Sequence, residues 1–152
     1  MATYYIINPQ SGKALDVCGG GTANGTNIQL WEHNLTGAQK WVIVGDGSII
    51  NPQSGKALDV SGGGKANGTN IQLWDRNGTG AQKWVIQADG SIINPQSGKA
   101  LDVNGGGKAN GTNIHLWDRN GTGAQKWVLE PVPGENVSSL LANLNVKFQQ
   151  II

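Results

Sequence analysis

Asn8-Pro-Gln-Ser-Gly-Lys-Ala-Leu-Asp-Val17 is written again, without change, at Asn51–Val60 and once more at Asn94–Val103. Around it, from Ile6 to Trp127, one unit of 43 residues recurs three times: Trp31, Trp74 and Trp117 fall in register, and so do Trp41, Trp84 and Trp127. Self-similarity at a fixed period of this size is the signature of a repeat architecture. Whatever chemistry one copy carries, the chain holds up to three times. That pattern belongs to multivalent binders far more often than to enzymes.

The middle copy shows how a single unit folds. Ser48-Ile-Ile-Asn51 is a short apolar stretch closed by Asn51-Pro52, a turn-favouring pair. In Lys56-Ala-Leu-Asp-Val60, Leu58 and Val60 share one face and Asp59 takes the other. Ser61-Gly-Gly-Gly64 and Asn67-Gly68 are turn material. Asn70-Ile-Gln-Leu-Trp74 alternates again, with Ile71 and Leu73 on one side and Gln72 and Trp74 on the other. After the Asn77–Gly80 turn, Lys83-Trp-Val-Ile86 is predicted as the last strand, with Trp84 and Ile86 in phase. Four short strands per copy make twelve, with no helical period. The expectation is an all-β fold: a closed barrel with hairpins across one end, in pseudo-threefold symmetry. Closure removes free strand edges, and Leu58, Ile71, Leu73, Trp84 and their counterparts form the shared core. The domain is drawn at 1–130, with repeats at about 5–47, 48–90 and 91–130, and an extension at 131–152.

Composition narrows the function. A chain of 152 residues fits one domain, and six Trp among many Ile, Leu and Val argue against disorder despite 24 Gly. A net charge of +1 with no basic run gives no support to nucleic-acid or anionic-membrane binding. No apolar run approaches the roughly 20 residues of a membrane helix. The start, Met1-Ala-Thr-Tyr-Tyr5, carries no secretory signal pattern. A cytoplasmic location, or release without the usual export route, is therefore expected. Cys18 is the only cysteine, so no internal disulfide forms, and it reads as a small loop residue. Seven Asn-x-Ser/Thr sequons, at Asn24, Asn34, Asn67, Asn77, Asn110, Asn120 and Asn136, read as turn chemistry.

Gln39-Lys-Trp41, Gln82-Lys-Trp84 and Gln125-Lys-Trp127, each behind a Leu-Asp-Val and a Leu-Trp segment, resemble the Gln-x-Trp signature of the ricin B-chain-like, R-type β-trefoil lectins. The resemblance covers about residues 4–129 and implies a β-trefoil of three near-identical repeats. It also implies a sugar site in which an Asp accepts from two ring hydroxyls, a Gln bonds another, and an aromatic ring stacks on the apolar face of the pyranose. Carried over, these are Asp16, Gln29 and Trp31; Asp59, Gln72 and Trp74; and Asp102, His115 and Trp117. Gly19, Gly62 and Gly105 match the family glycine whose backbone N–H reaches the sugar. Two departures stand out. Ala38-Gln39, Ala81-Gln82 and Ala124-Gln125 replace the family's Asn-Gln, with Asn34, Asn77 and Asn120 as candidate substitutes for the lost amide. His115 replaces the Gln of the other copies, which points to a third site that is weaker, pH-sensitive or differently selective.

Structural readings stand beside these. The three Asp could cap turns, the Gln of Gln-x-Trp could brace them, Trp31, Trp74 and Trp117 could be packed, and His33 reads as an exposed loop residue. No nucleophile–His arrangement, metal-ligand cluster or phosphate loop is present, and triplicated Asp in like environments cannot supply an acid and a base. No catalytic residue, metal or other cofactor is therefore assigned. A protease-inhibitor or interaction scaffold is the third class, but such loops would be idiosyncratic, whereas the Asp and Trp set is kept in all three copies. The resemblance implies galactose or N-acetylgalactosamine as ligand, with xylan, mannose and chitin types open. In the extension, Val137, Leu141, Leu144, Phe148 and Ile151 follow a helical stripe, while Val146, Phe148, Gln150 and Ile152 alternate like a strand. A helix through Leu144 and a homodimer held by this segment are the expectations.

Overall fold

A computed structural model describes residues 2–134 of the chain. Strands β1 (Thr3–Asn8), β2 (Lys13–Val17), β3 (Ile28–Trp31) and β4 (Trp41–Ile43) form the first copy. β5 (Ile49–Asn51), β6 (Lys56–Val60), β7 (Ile71–Trp74) and β8 (Val85–Ile86) form the second. β9 (Ile92–Asn94), β10 (Lys99–Val103), β11 (Ile114–Trp117) and β12 (Val128–Pro131) complete the third. The four strands expected per copy are all present.

Two sets of strands do different jobs. β1, β4, β5, β8, β9 and β12 make the barrel, through antiparallel ladders β12–β1, β1–β4, β4–β5 and β8–β9. The remaining two seams are closed by single bonds, Trp84 N–H to Gly47 O and Trp127 N–H to Gly90 O, both 2.8 Å. These seams need glycine: Gly90 has φ +93°, and a Cβ there would come within 3.2 Å of Trp127 O. The hairpins β2–β3, β6–β7 and β10–β11 share one register, Asp16 opposite Gln29, Asp59 opposite Gln72 and Asp102 opposite His115.

The hairpins lock to one another around the pseudo-threefold axis. Leu30 N–H donates to Thr112 O, Leu73 N–H to Thr26 O and Leu116 N–H to Thr69 O, each at 2.9 Å. At the same level Asn27, Asn70 and Asn113 form a closed ring, each amide donating to the next at 2.8–2.9 Å. Every copy thus leaves backbone and side-chain bonds that only its two neighbours can satisfy, which is why one copy cannot stand alone.

The core is the one expected from alternation. Leu15, Leu30, Leu58, Ile71, Leu73, Leu101, Ile114, Leu116 and Trp41 are fully buried, and Trp84 and Trp127 nearly so. Each indole N–H is pinned to a core carbonyl: Trp41 to Leu15 O at 3.1 Å, Trp84 to Leu58 O at 3.0 Å, Trp127 to Leu101 O at 3.1 Å. Ile86, read as in phase with Trp84, is exposed, as is Val85, whereas its counterparts Ile43 and Leu129 are partly buried against the core.

The loops at the seams carry the charge. Arg76 Nη2 lies 2.8 Å from Asp46 Oδ2, and Arg119 Nη2 lies 2.7 Å from Asp89 Oδ2. Bonds from the Ser48 hydroxyl and amide, then from Arg76, hold the Asp46 carboxyl well below the usual carboxylate range. In the first copy His33 takes the Arg position. It is half-buried and sets its ring edge-on to Tyr5 (centroids 4.4 Å apart), so it is not the free loop residue expected. β12 runs through Pro131, and Val132 is buried with its N–H on Thr3 O. The expected helix and self-association segment beyond Gly134 lie outside the described residues.

Two stability outcomes follow from this packing. Leu35 has φ +62°, where the other copies place Gly78 and Gly121 at +70°, and it is largely exposed. A left-handed conformation costs a non-glycine residue roughly 1 kcal/mol, so Leu35→Gly raises the unfolding free energy by about that amount in denaturant titration. Trp84→Ala removes a buried ring and its indole bond, and costs roughly 3–5 kcal/mol. An unchanged melting temperature in Trp84→Ala contradicts this assignment of the core tryptophan.

Candidate functional site

Each copy opens a cleft on the outer face of its hairpin. The strand period dictates what lines it: Leu15 and Leu30 turn in, so Asp16, Gln29 and Trp31 turn out. The three clefts measure about 550, 410 and 580 Å³ in chain order. Trp31, Trp74 and Trp117 are 38–41% exposed and line one wall. These are the outward tryptophans expected from alternation, opposite in role to the Gln-x-Trp set.

The carboxylates are buried at the cleft floor, at 4–5% exposure. Gln29 Nε2 donates to Asp16 Oδ1 at 3.0 Å, and Gln39 Nε2 donates to Asp16 Oδ2 at 2.9 Å. Gln72 and Gln82 hold Asp59 with the same distances. Burial pushes the Asp16 carboxyl above its ordinary value, against the opposing effect of the two amides. Asp16 and Asp59 therefore cap no turn; they are fixed in place by side-chain amides. Each oxygen keeps lone-pair capacity for a second donor, which is what a pair of sugar hydroxyls would supply.

The third cleft is built differently. His115 Nε2 lies 2.8 Å from Asp102 Oδ1, while Gln125 holds Oδ2 at 2.9 Å. The imidazole is buried and nearly parallel to Trp117, with ring centroids 5.4 Å apart at 22°. A neutral imidazole donating from Nε2 has only an acceptor left at Nδ1, whereas Gln29 and Gln72 keep both an N–H and a carbonyl.

Gln39, Gln82 and Gln125 stand behind the carboxylates and do not line the clefts. They are almost fully buried. Besides its Asp, Gln39 binds Glu32 O at 2.8 Å and accepts from Asn34 N–H at 3.0 Å. It therefore ties β2 to the loop that carries the next cleft residue. Asn34, Asn77 and Asn120 do line the clefts. Their Oδ1 atoms are taken up by Thr36, Thr79 and Thr122, which leaves the amide N–H groups as donors. Gly19, Gly62 and Gly105 also line the clefts, at φ +61 to +62°.

Sequence reasoning missed the residues that reach across from another copy. Gln53 closes the first cleft, Gln96 the second and Gln10 the third. Each amide donates to the turn backbone of the cleft it closes: Gln53 to Gly20 O at 3.0 Å, Gln96 to Gly63 O and Gln10 to Gly106 O at 3.2 Å. A Cβ at Gly37 would meet the Gln53 side chain, which would have to shift to admit a larger residue there. The signal was the unchanged Pro-Gln-Ser turn of all three copies, which strand alternation does not explain. Cys18, Lys65 and Lys108, residues that differ between copies, line the clefts as well.

No group of three or more His, Cys, Asp or Glu side chains that could hold a metal occurs among the described residues. No buried side-chain nitrogen or oxygen among them lacks a partner.

This architecture has known relatives. The designed threefold-symmetric protein ThreeFoil is 33% identical, with a TM-score of 0.79 over 84% of this chain and 97% of its own. An exo-β-1,3-galactanase from Clostridium thermocellum is 34% identical, with a TM-score of 0.79 over 87% of this chain, which spans 30% of that enzyme chain. The agglutinin from Abrus precatorius is 27% identical, with a TM-score of 0.76 over 84% of this chain and 48% of its own. No curated protein matches the chain. The model of the ricin-type β-trefoil lectin domain matches residues 2–127, nearly the whole of the described fold. The chain belongs to the ricin-type β-trefoil lectin domain family.

Proposed function

We propose that the chain is a non-catalytic, multivalent lectin whose three clefts bind galactose- or N-acetylgalactosamine-type sugars. The observation that carries this reading is the fixed pairing, in every copy, of a buried carboxylate at the cleft floor with an exposed indole on its wall. The carboxylate accepts from two adjacent hydroxyls, the Gln29-type amide and the Asn34-type N–H bond further rim oxygens, and the indole covers the apolar sugar face. Support for galactose comes from the family resemblance and from the relative that is an exo-β-1,3-galactanase.

Sites this open bind one monosaccharide weakly. Three of them around a rigid barrel face separate directions, so one molecule bridges several glycans. Joint engagement gains roughly 10²–10⁴ over a single site where the geometry allows it. A homodimer through the extension at 131–152 would add valence and is part of the same proposal.

Calorimetry tests the assignment. Lactose and N-acetylgalactosamine should release heat at millimolar concentrations, equally with and without EDTA, because the sites use no cation. Trp74→Ala should weaken its own cleft about tenfold, the loss of roughly 1–2 kcal/mol of stacking, while the other two clefts continue to bind. Absence of heat with both sugars rejects the sugar class proposed.

A further inference from the structure

Thr22, Lys65 and Lys108 occupy one position of the repeat, on the turn between the two hairpin strands. Lys65 lines the second cleft and Lys108 the third. Both are exposed, and no carboxylate of the described residues pairs with either ammonium. The neighbouring cations are engaged. Lys56 lies 3.5 Å from Asp75, Lys99 lies 3.4 Å from Asp118, and Arg76 and Arg119 hold Asp46 and Asp89.

The first cleft has the opposite balance. Thr22 supplies no charge, and no cationic side chain lines this cleft. Asp16 thus stands in a cleft that no ammonium lines, while in the other two an ammonium offsets the floor carboxylate.

We propose that the second and third clefts select sugars carrying an anionic group, a carboxylate or a sulfate, met by Lys65 and Lys108, and that the first cleft takes neutral sugars. This rests on the carbohydrate-binding reading above. Asp59 and Asp102 engage neutral hydroxyls at the floor, and the lysines stand at the rim where a substituent or a second sugar residue would emerge. An ammonium on a flexible stem is a compact donor of three hydrogen bonds and needs no fixed geometry to meet an anion. The contact faces water, so the preference is modest, roughly threefold to tenfold, and is screened by salt.

The test titrates isotope-labelled full-length protein with lactose, sialyllactose and sulfated lactose at low ionic strength. The indole N–H signals of Trp31, Trp74 and Trp117 report one cleft each. The anionic-to-neutral affinity ratio should be roughly threefold to tenfold higher at Trp74 and Trp117 than at Trp31, and whichever anionic sugar shows it identifies the source of the charge. Lys65→Thr with Lys108→Thr should bring the ratio of those clefts down to that of the first, using the residue the first copy already carries. Thr22→Lys should raise it in the first. Lactose binding with equal ratios at the three indoles, or a difference that survives the double variant, overturns the assignment and leaves the lectin reading in place. Lactose that moves none of the three signals overturns the lectin reading, and this assignment with it.

Discussion

A single glutamine–tryptophan pair in each copy joins the core to the cleft, and the rest of the structure hangs on it. The Trp41 indole fills the barrel and its N–H is tied to Leu15 O. Two residues earlier, the Gln39 amide is buried against the carboxylate of Asp16, the residue after Leu15. Core packing and site geometry are thereby set by one short segment. An unpaired carboxylate at this depth would be costly, and the two amides that satisfy it also fix where its free lone pairs point. The cleft floor is part of the core's hydrogen bonding.

The same economy explains why three copies are needed. The asparagine ring of Asn27, Asn70 and Asn113 and the cycle of Leu N–H to Thr carbonyl bonds exist only when all three hairpins are present. Gln53, Gln96 and Gln10 then carry the dependence into the clefts, since each is closed by a side chain from another copy. The third cleft is closed by Gln10 of the first copy, so the binding surface is completed by the same ring closure that completes the fold.

Much of this was legible in the sequence because strand alternation assigns a face to every residue. The period of two separated Trp74 from Leu73 and Asp59 from Leu58, and both separations are seen. That Gln39 braces a loop was legible, and it does bind Glu32 O and Asn34 N–H; its contact with Asp16 was not, since a motif says that a residue recurs and not which way its amide turns. Ile86 is in phase with Trp84 yet exposed, while its counterparts Ile43 and Leu129 pack against the core, a difference between copies that alternation does not carry. The Gln53 contact lies outside any one-copy reading, because its partner, Gly20, belongs to another repeat and comes close only after closure. His33 was read from its loop position alone, without the neighbouring strand that brings Tyr5 against it.

The central claim is that the amide-braced carboxylate and the exposed indole of each copy together hold one sugar. A crystal of the chain soaked with N-acetylgalactosamine tests this most directly. The account predicts a pyranose in the second cleft with two adjacent hydroxyls within hydrogen-bond distance of the Asp59 carboxylate and its apolar face against the Trp74 ring. The Gln82 amide should remain on Asp59. A sugar bound away from Asp59 and Trp74, or one seated there only after Gln82 has left the carboxylate, would contradict it.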